Sequence, residues 1–353
     1  MTYGVRWIDA EANETRTDHF MVWERNLPPL VQARRQYDWL YRENPGGSGR
    51  LAVLESASPG EAPSPVGTAG YTTRVFMLGD QVVRAAVLAD QNVEGGHQTE
   101  ATARTLASEL HHEVRGRYDL VYGFSPRNME RLILDLGYRK LGDTRRFAML
   151  LRYGSRLQRK IGPPAIVAGV GLDTVRRVMV TARAATSTLQ HRLDWLPDVD
   201  ARFDRLWSEA RHEYPMIAIR DAAFARWRFI QRPGGRLEIA ALISRRTGNL
   251  DGYAAITWHR NAAYVRDIFA RREELKPLLR LLCASVVRRG ATSISIRLWG
   301  APVLVDCLYD LGFSERLDHR TLIVDAGDSF TRGRPECFDP EQWYLTDVDL
   351  LAW

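Results

Sequence analysis

Residues 39–47 read WLYRENPGG and residues 227–235 read WRFIQRPGG. The match sets Trp39 against Trp227, Pro45 against Pro233, and Gly46-Gly47 against Gly234-Gly235 at one spacing. Further along each half a second echo follows: Asp135-Leu136-Gly137-Tyr138 answers Asp310-Leu311-Gly312-Phe313. Two landmarks repeated in the same order point to a duplicated unit, and such a period constrains the fold more than any local propensity. A chain of 353 residues is long enough for two units that each bury a core.

The strand and helix signals agree with that division. In the first half, Val5–Ile8 reads as a strand, and Phe20–Trp23 and Leu30–Arg42 read as helices stopped by Pro45-Gly46-Gly47. Arg50–Glu55, Val66–Leu78 and Val82–Val93 follow as strands, the last two around a Gly79-Asp80 turn. Thr99–Arg115 has helical periodicity, Tyr118–Phe124 is strand-like, Asn128–Leu136 is a helix, and Tyr138–Leu151 closes the half in strand. From Val199 the pattern recurs. Phe203–Glu209 and Ala222–Ile230 are helical, then come strands at Leu237–Ser244, Gly252–His259 and Ala263–Ala270. Glu274–Arg289 is a helix, Ser293–Leu298 a strand, Val303–Leu311 a helix and Glu315–Val324 a strand. The expected fold class is mixed α/β, in a unit 1–152, a basic helical linker 153–198 and a unit 199–353. The linker helix is expected to run over Asp173–Arg192 and to pack its Val175, Val178, Met179 and Ala182 stripe between the units.

This order, with Gly-Tyr or Gly-Phe after the last helix, resembles the GNAT superfamily of acyl-CoA-dependent N-acyltransferases. The resemblance covers about residues 3–152 and recurs, degenerate, in the second half. It implies acetyl-CoA as co-substrate, a primary amine as acceptor and N-acetyl transfer as the reaction. The family's pyrophosphate motif, Gln/Arg-x-x-Gly-x-Gly/Ala, is matched by Gln98-Thr99-Glu100-Ala101-Thr102-Ala103, with Ala101 where the family has glycine. A helix N-terminus offers unpaired N–H groups and a positive dipole end, and small residues let phosphates approach. The resemblance therefore places cofactor on Asn92, Val93, Gln98, Thr99, Ala101, Thr102, Ala103 and Arg104. Glu100 inside the motif opposes a phosphate unless it points to solvent.

For chemistry the resemblance implies a base near the end of the fourth strand, which is Asp90. Its neighbours Ala85–Ala89 are apolar, so burial raises its pKa. The tyrosine that usually protonates the leaving thiolate is replaced by Ile133. Tyr122 and Ser125 are then the polar residues near the expected thiol position. In the second half, Arg271-Arg272-Glu273-Glu274 and Pro277 stand where the phosphate loop should be, and two acids there oppose phosphate. That half is expected to bind no cofactor.

Net charge is +6, and between Arg152 and Arg192 eight basic residues face one acid, Asp173. That run fits a docking surface for an anionic partner. It also keeps an aminoacyl-tRNA-dependent transferase of the FemX type in view, although a working acetyl-CoA loop argues against nucleic acid. A non-catalytic GNAT-like binding module is the other alternative. Similarity to tandem GNAT proteins of bacterial surface-polysaccharide clusters points to an amino-sugar acceptor. Cys283, Cys307 and Cys337 are too scattered for a disulfide framework or a zinc site, and no metal is expected. The N-terminus has no apolar signal core and no run of 18 apolar residues occurs, so the expected location is cytoplasmic.

Overall fold

A computed structural model describes residues 2–9, 19–26, 33–125, 129–152, 165–327, 330 and 334–350. The first run of elements is β1 (Thr2–Asp9), α1 (His19–Asn26), α2 (Ala33–Tyr37), β2 (Arg50–Ala57), β3 (Ser64–Leu78), β4 (Gln81–Val93), α3 (Glu100–Val114), β5 (Leu120–Ser125), α4 (Glu130–Asp135) and β6 (Arg139–Leu150). Helix α5 (Ala165–Ala185) leads to β7 (His191–Leu196), α6 (Arg202–Ala210), β8 (Met216–Ala218) and α7 (Ala222–Ala225). Then come β9 (Glu238–Ser244), β10 (Leu250–His259), β11 (Ala262–Ala270), α8 (Leu275–Arg288), β12 (Ser293–Gly300), α9 (Pro302–Asp310), β13 (Ser314–Ala326) and β14 (Trp343–Thr346).

The strands form one mixed sheet in the order β1-β2-β3-β4-β5-β13-β6-β12-β11-β10-β9-β7. Read from either edge, the two runs enter in the same sequence. The last strand of each run crosses over: β13 lies antiparallel to β5, and β6 lies antiparallel to β12. β6 and β13 also pair with each other at the centre of the sheet. Separating the runs would therefore expose strand edges on both sides, a costly step because each edge carries unpaired backbone groups.

The sequence echoes share backbone conformations. Both Trp-containing stretches form π-helical turns, Asp38–Arg42 and Arg226–Ile230. The Trp39 indole N–H donates to Trp227 O at 2.9 Å, and the Trp227 indole N–H donates to Trp39 O at 2.8 Å. Their rings stack 4.8 Å apart. The two Asp-Leu-Gly-aromatic stretches end α4 and α9 alike, with Gly137 at φ 96° and Gly312 at φ 84°. Gly137 N–H reaches Leu134 O and Tyr138 N–H reaches Ile133 O; Gly312 and Phe313 do the same to Tyr309 and Leu308. This is a left-handed helix stop, which glycine makes without a Cβ penalty.

Three sequence expectations need correction. His191–Leu196 is an edge strand on β9, not the end of the linker helix. Its HRLDWL alternation was hidden by the helical stripe just before it. The Val175, Val178 and Met179 stripe of α5 does not pack between units; these side chains are 53%, 62% and 52% exposed. The buried side of that helix carries Val180 and Ala184, and Arg183 donates to Leu311 O at the end of α9. Finally, the helix expected over Leu30–Arg42 is not uniform: it widens to a π turn after Tyr37, while its residues 30–32 lie outside the described residues. The first part of the proposed basic linker, residues 153–164, lies outside the described residues.

Candidate active site at the end of the fourth strand

β3 and β4 pair regularly up to Gly70–Ala89, then resume at Thr68–Asn92, so Asp90 and Gln91 together oppose Ala69. This is a β-bulge, and Asp90 takes φ 53°, a left-handed conformation that aspartate tolerates better than most residues. A bulge re-aims a side chain that strict alternation would fix. Here the Asp90 carboxylate, on a half-buried residue, accepts a 2.5 Å hydrogen bond from the Tyr41 hydroxyl. Thr68 Oγ1 holds the bulge by donating to Asp90 O at 3.0 Å.

Tyr41 reaches Asp90 because two glycines leave room. A Cβ on Gly70 would stand 2.4 Å from the Tyr41 hydroxyl oxygen, and one on Gly49 would stand 2.8 Å from its ring. Burial pushes the Asp90 carboxyl up to about 6, and the Tyr41 hydrogen bond pulls the other way. Burial, then Asp90 itself, hold the Tyr41 phenol well above its ordinary range. The pair is thus a neutral hydroxyl donating to a carboxylate that changes charge close to neutrality, which suits a general base.

β4 and β5 pair in parallel only at Ala85–Val87 against Leu120–Tyr122. β4 runs on to Val93 and β5 to Ser125, so the two strands part where Asp90 lies. Beyond Val93 the chain makes a short 3-10 turn, Gly95–His97, and enters α3 through Thr99. Thr99 and Thr102 form a reciprocal capping box, and Thr102 Oγ1 also donates to His97 O at 2.7 Å. A Cβ on Gly95 or Gly96 would meet nothing within 4 Å. The first-turn amides of Glu100 and Ala101 have no intrahelical acceptor. Glu100 points away, 84% exposed and 3.4 Å from Arg104. The glycine turn therefore leaves open space beside the start of the helix.

The other sequence candidates distribute as follows. Asn92 pairs with Thr68 across the bulge, and Val93 O accepts from the Gln98 side chain at 2.8 Å. Thr102 is buried and its N–H is taken by Thr99 Oγ1, while Ala103 N–H is taken by Thr99 O. Those two amides are committed to the helix. Arg104 sits on the surface between Glu100 and Asp135. Ser125 is buried at the end of β5, opposite Thr321. Tyr122 is a core residue and a correction to the expectation: its hydroxyl donates to Asp349 O at 3.2 Å, and its ring packs on Phe76 and Trp343. Alternation along β5 turns it to that face. Tyr41 was missed, although it stands inside the repeated WLYRENPGG stretch. The available signal was Phe229 at the matching place, since an aromatic that keeps a hydroxyl in one copy only marks a polar task there.

No family model matches the chain, and no curated protein resembles it in sequence. Solved structures do resemble it in three dimensions. A GCN5-related N-acetyltransferase from Kribbella flavida matches with a TM-score of 0.57 at 16% identity, over 93% of this chain and 72% of that one. One from Anabaena variabilis matches at 0.60 and 12% identity, over 92% and 73%. A conserved protein of unknown function from Enterococcus faecalis matches at 0.59 and 10% identity, over 92% and 72%. The chain has the GNAT fold. Among the described residues, no helix of this GNAT-fold chain is long and apolar enough to cross a membrane.

Proposed function

We propose that the protein is an acyl-CoA-dependent N-acyltransferase, with acetyl-CoA as donor and a primary amine as acceptor. The observation that supports this is the bulged Asp90–Tyr41 pair near the end of β4, followed within a few residues by a helix start with an open glycine turn at residues 95–101. The amides of Glu100 and Ala101 with the Gly95-Gly96 turn would receive the pyrophosphate. The acyl chain would lie where β4 leaves β5. The Asp90 carboxylate takes a proton from the substrate ammonium, the freed nitrogen bonds to the thioester carbon, and the carbon–sulfur bond breaks to release the thiolate, which takes up, through water, the second proton that the nitrogen loses as the amide forms. Tyr41 orients the base and keeps it ionised near neutral pH.

We further propose that the chain is a duplication whose second copy is structural. Glu274 occupies the start of α8, where its side chain is 13% exposed, 3.2 Å from His191 Nε2 and 3.6 Å from Arg271. The Glu274 side chain does not cap the helix, but it sets a negative charge at that end, and the Arg272 N–H just before it already donates to Glu213 Oε2 at 2.5 Å.

Calorimetry with acetyl-CoA tests the reading. One site per chain, with release of acyl groups to an amine panel, is the expected result. A purified protein that binds no acyl-CoA, natively or after titration, would overturn it.

A further inference from the structure

The junction of the two runs holds more guanidinium groups than its carboxylates engage. Asp349 gives Oδ1 to Arg74 at 2.6 Å and Oδ2 to Arg220 at 2.5 Å. Asp347 gives Oδ1 to Arg297 at 2.8 Å and Oδ2 to Arg266. Every oxygen of these two carboxylates is therefore spoken for. Two more arginines stand beside them, Arg228 and Arg232. Among the described residues neither has a hydrogen bond or an ion pair. Arg228 is only 5% exposed. Its guanidinium lies 5.2 Å from the Trp39 ring and 5.8 Å from the Trp227 ring, over the stack that joins the runs. Burial, then Arg232 and Arg74, hold it below the usual guanidinium range. An arginine keeps its charge even so, and none of its guanidinium nitrogens is among the buried atoms left without a hydrogen bond, so the group is hemmed in yet still touches solvent. The aromatic faces offset part of the cost of its desolvation.

The internal repeat supplies a control. Arg228 and Arg232 match Leu40 and Asn44 of the first copy. There Asn44 Nδ2 closes the turn by donating to Thr72 Oγ1 at 2.7 Å and Thr73 O at 2.8 Å, while Thr72 donates to Leu40 O at 2.9 Å. A Cβ on Gly46 would stand 3.0 Å from Thr73 O, so that turn is packed down on β3. In the second copy a Cβ on Gly234 or Gly235 would meet nothing within 4 Å. The side chain that seals the turn in one copy, Asn44, is replaced in the other by Arg232, which among the described residues makes no hydrogen bond, and there the turn is open.

We propose that Arg228, with Arg232 beside it, receives an anionic group of the acyl acceptor, a carboxylate or a phosphate monoester, entering past the Gly234-Gly235 turn. A planar guanidinium backed by aromatic rings matches such a group with two parallel hydrogen bonds. The acceptor class is then an amine that also carries a negative charge. This rests on the acyl-transfer reading; the binding of an anion by Arg228 does not.

Thermal unfolding with inorganic phosphate, against chloride at matched ionic strength, tests the anion site alone. Wild type should gain on the order of 3 °C from phosphate beyond chloride. Arg228→Met should lose that gain, and without phosphate it should melt no lower than wild type, because it replaces a largely desolvated charge that has no carboxylate partner among the described residues. Arg232→Gln, at a half-buried position, should lose part of the gain and serves if Arg228→Met does not fold. Phosphate has a general stabilising effect, so the difference between wild type and variants is the readout. An equal phosphate gain in wild type and in either variant overturns the site. Calorimetry then separates sources. Unchanged acetyl-CoA affinity in the variants supports an acceptor anion, whereas a tenfold loss would mean that a phosphate of CoA sits there and would overturn the acceptor assignment. A phosphate gain lost in the variants, in a protein that transfers no acyl group to any amine, would keep the anion site and remove the acyl-transfer reading.

Discussion

The ends of β4 and β11 stand at matching places in the sheet, and both strands bulge there. On β11 the register slips between Ala255–Asp267 and Ile256–Val265. Each carries an aspartate three residues before its last residue, Asp90 and Asp267. Their surroundings differ. Asp90 has one hydroxyl partner, Tyr41, and stays near its charge transition. Asp267 is fully buried and takes Arg220 Nε at 3.2 Å, Tyr253 Oη at 2.9 Å and Thr346 Oγ1 at 2.6 Å. Beside Asp267 the sheet is also filled. β14 pairs with β12, and Tyr344 Oη donates to Ile268 O at 2.5 Å. Among the described residues no strand fills the matching opening between β4 and β5. One framework therefore serves two ends: an acid left with a single partner is available to do chemistry, and an acid given a full set of partners holds the molecule together.

If Asp267 and its partners are structural, breaking their network should have the largest effect. Asp349→Ala strips Arg74 and Arg220 of their carboxylate and should destabilise the protein by about 3–5 kcal/mol, as expected for an orphaned buried charge. Urea unfolding measures this, and a change under about 1 kcal/mol would mean the network is dispensable. Asp90→Asn should do the reverse: kcat falls on the order of 10²-fold with acetyl-CoA affinity kept. Its stability at pH 8 should not fall. The Asp90 carboxyl is raised in the folded state, so its ionisation costs stability as pH rises toward and through about 6, and the variant removes that cost. A loss of stability without a loss of turnover would make the two aspartates alike.

The helix starts provide the next contrast. Ala101→Glu adds a second carboxylate beside Glu100 in the first turn of α3, and should weaken acetyl-CoA by about tenfold, the effect of a like charge a few ångströms from a phosphate. Unchanged calorimetric affinity would move the cofactor elsewhere. The smallest effect is expected from Tyr41→Phe, which installs the second copy's aromatic. Tyr41 lowers the Asp90 pKa, so without it the acid limb of kcat/KM should shift upward from about 6. A limb that stays in place would mean that Asp90 is not the titrating base.

Much of this comparison was legible in the chain. The repeated Trp-Pro-Gly-Gly and Asp-Leu-Gly-aromatic stretches located structures that share one conformation. Alternation and helical spacing placed β2 to β6 and β9 to β13 within a few residues. Asp90 stood out because the resemblance to the GNAT fold puts a base near the end of the fourth strand, and Glu274 because it sits where that resemblance needs a small-residue phosphate turn. The short strands β8 and β14 escaped, since three or four buried residues carry no period. The exposed stripe on α5 was misread, because spacing shows that a helix has an apolar face and not whether another element covers it.

By itself the sequence determined which residues face together along each element, because periodicity and turn chemistry act over a few residues. The tertiary structure alone decided which partners they meet. The exchange of β6 and β13, the hydroxyl that Tyr41 brings to Asp90 past Gly49 and Gly70, and the arginines left over beside Asp347 and Asp349 all join residues far apart in the chain. Such contacts are fixed by sheet order and packing, and no local pattern encodes how many partners a buried charge will find.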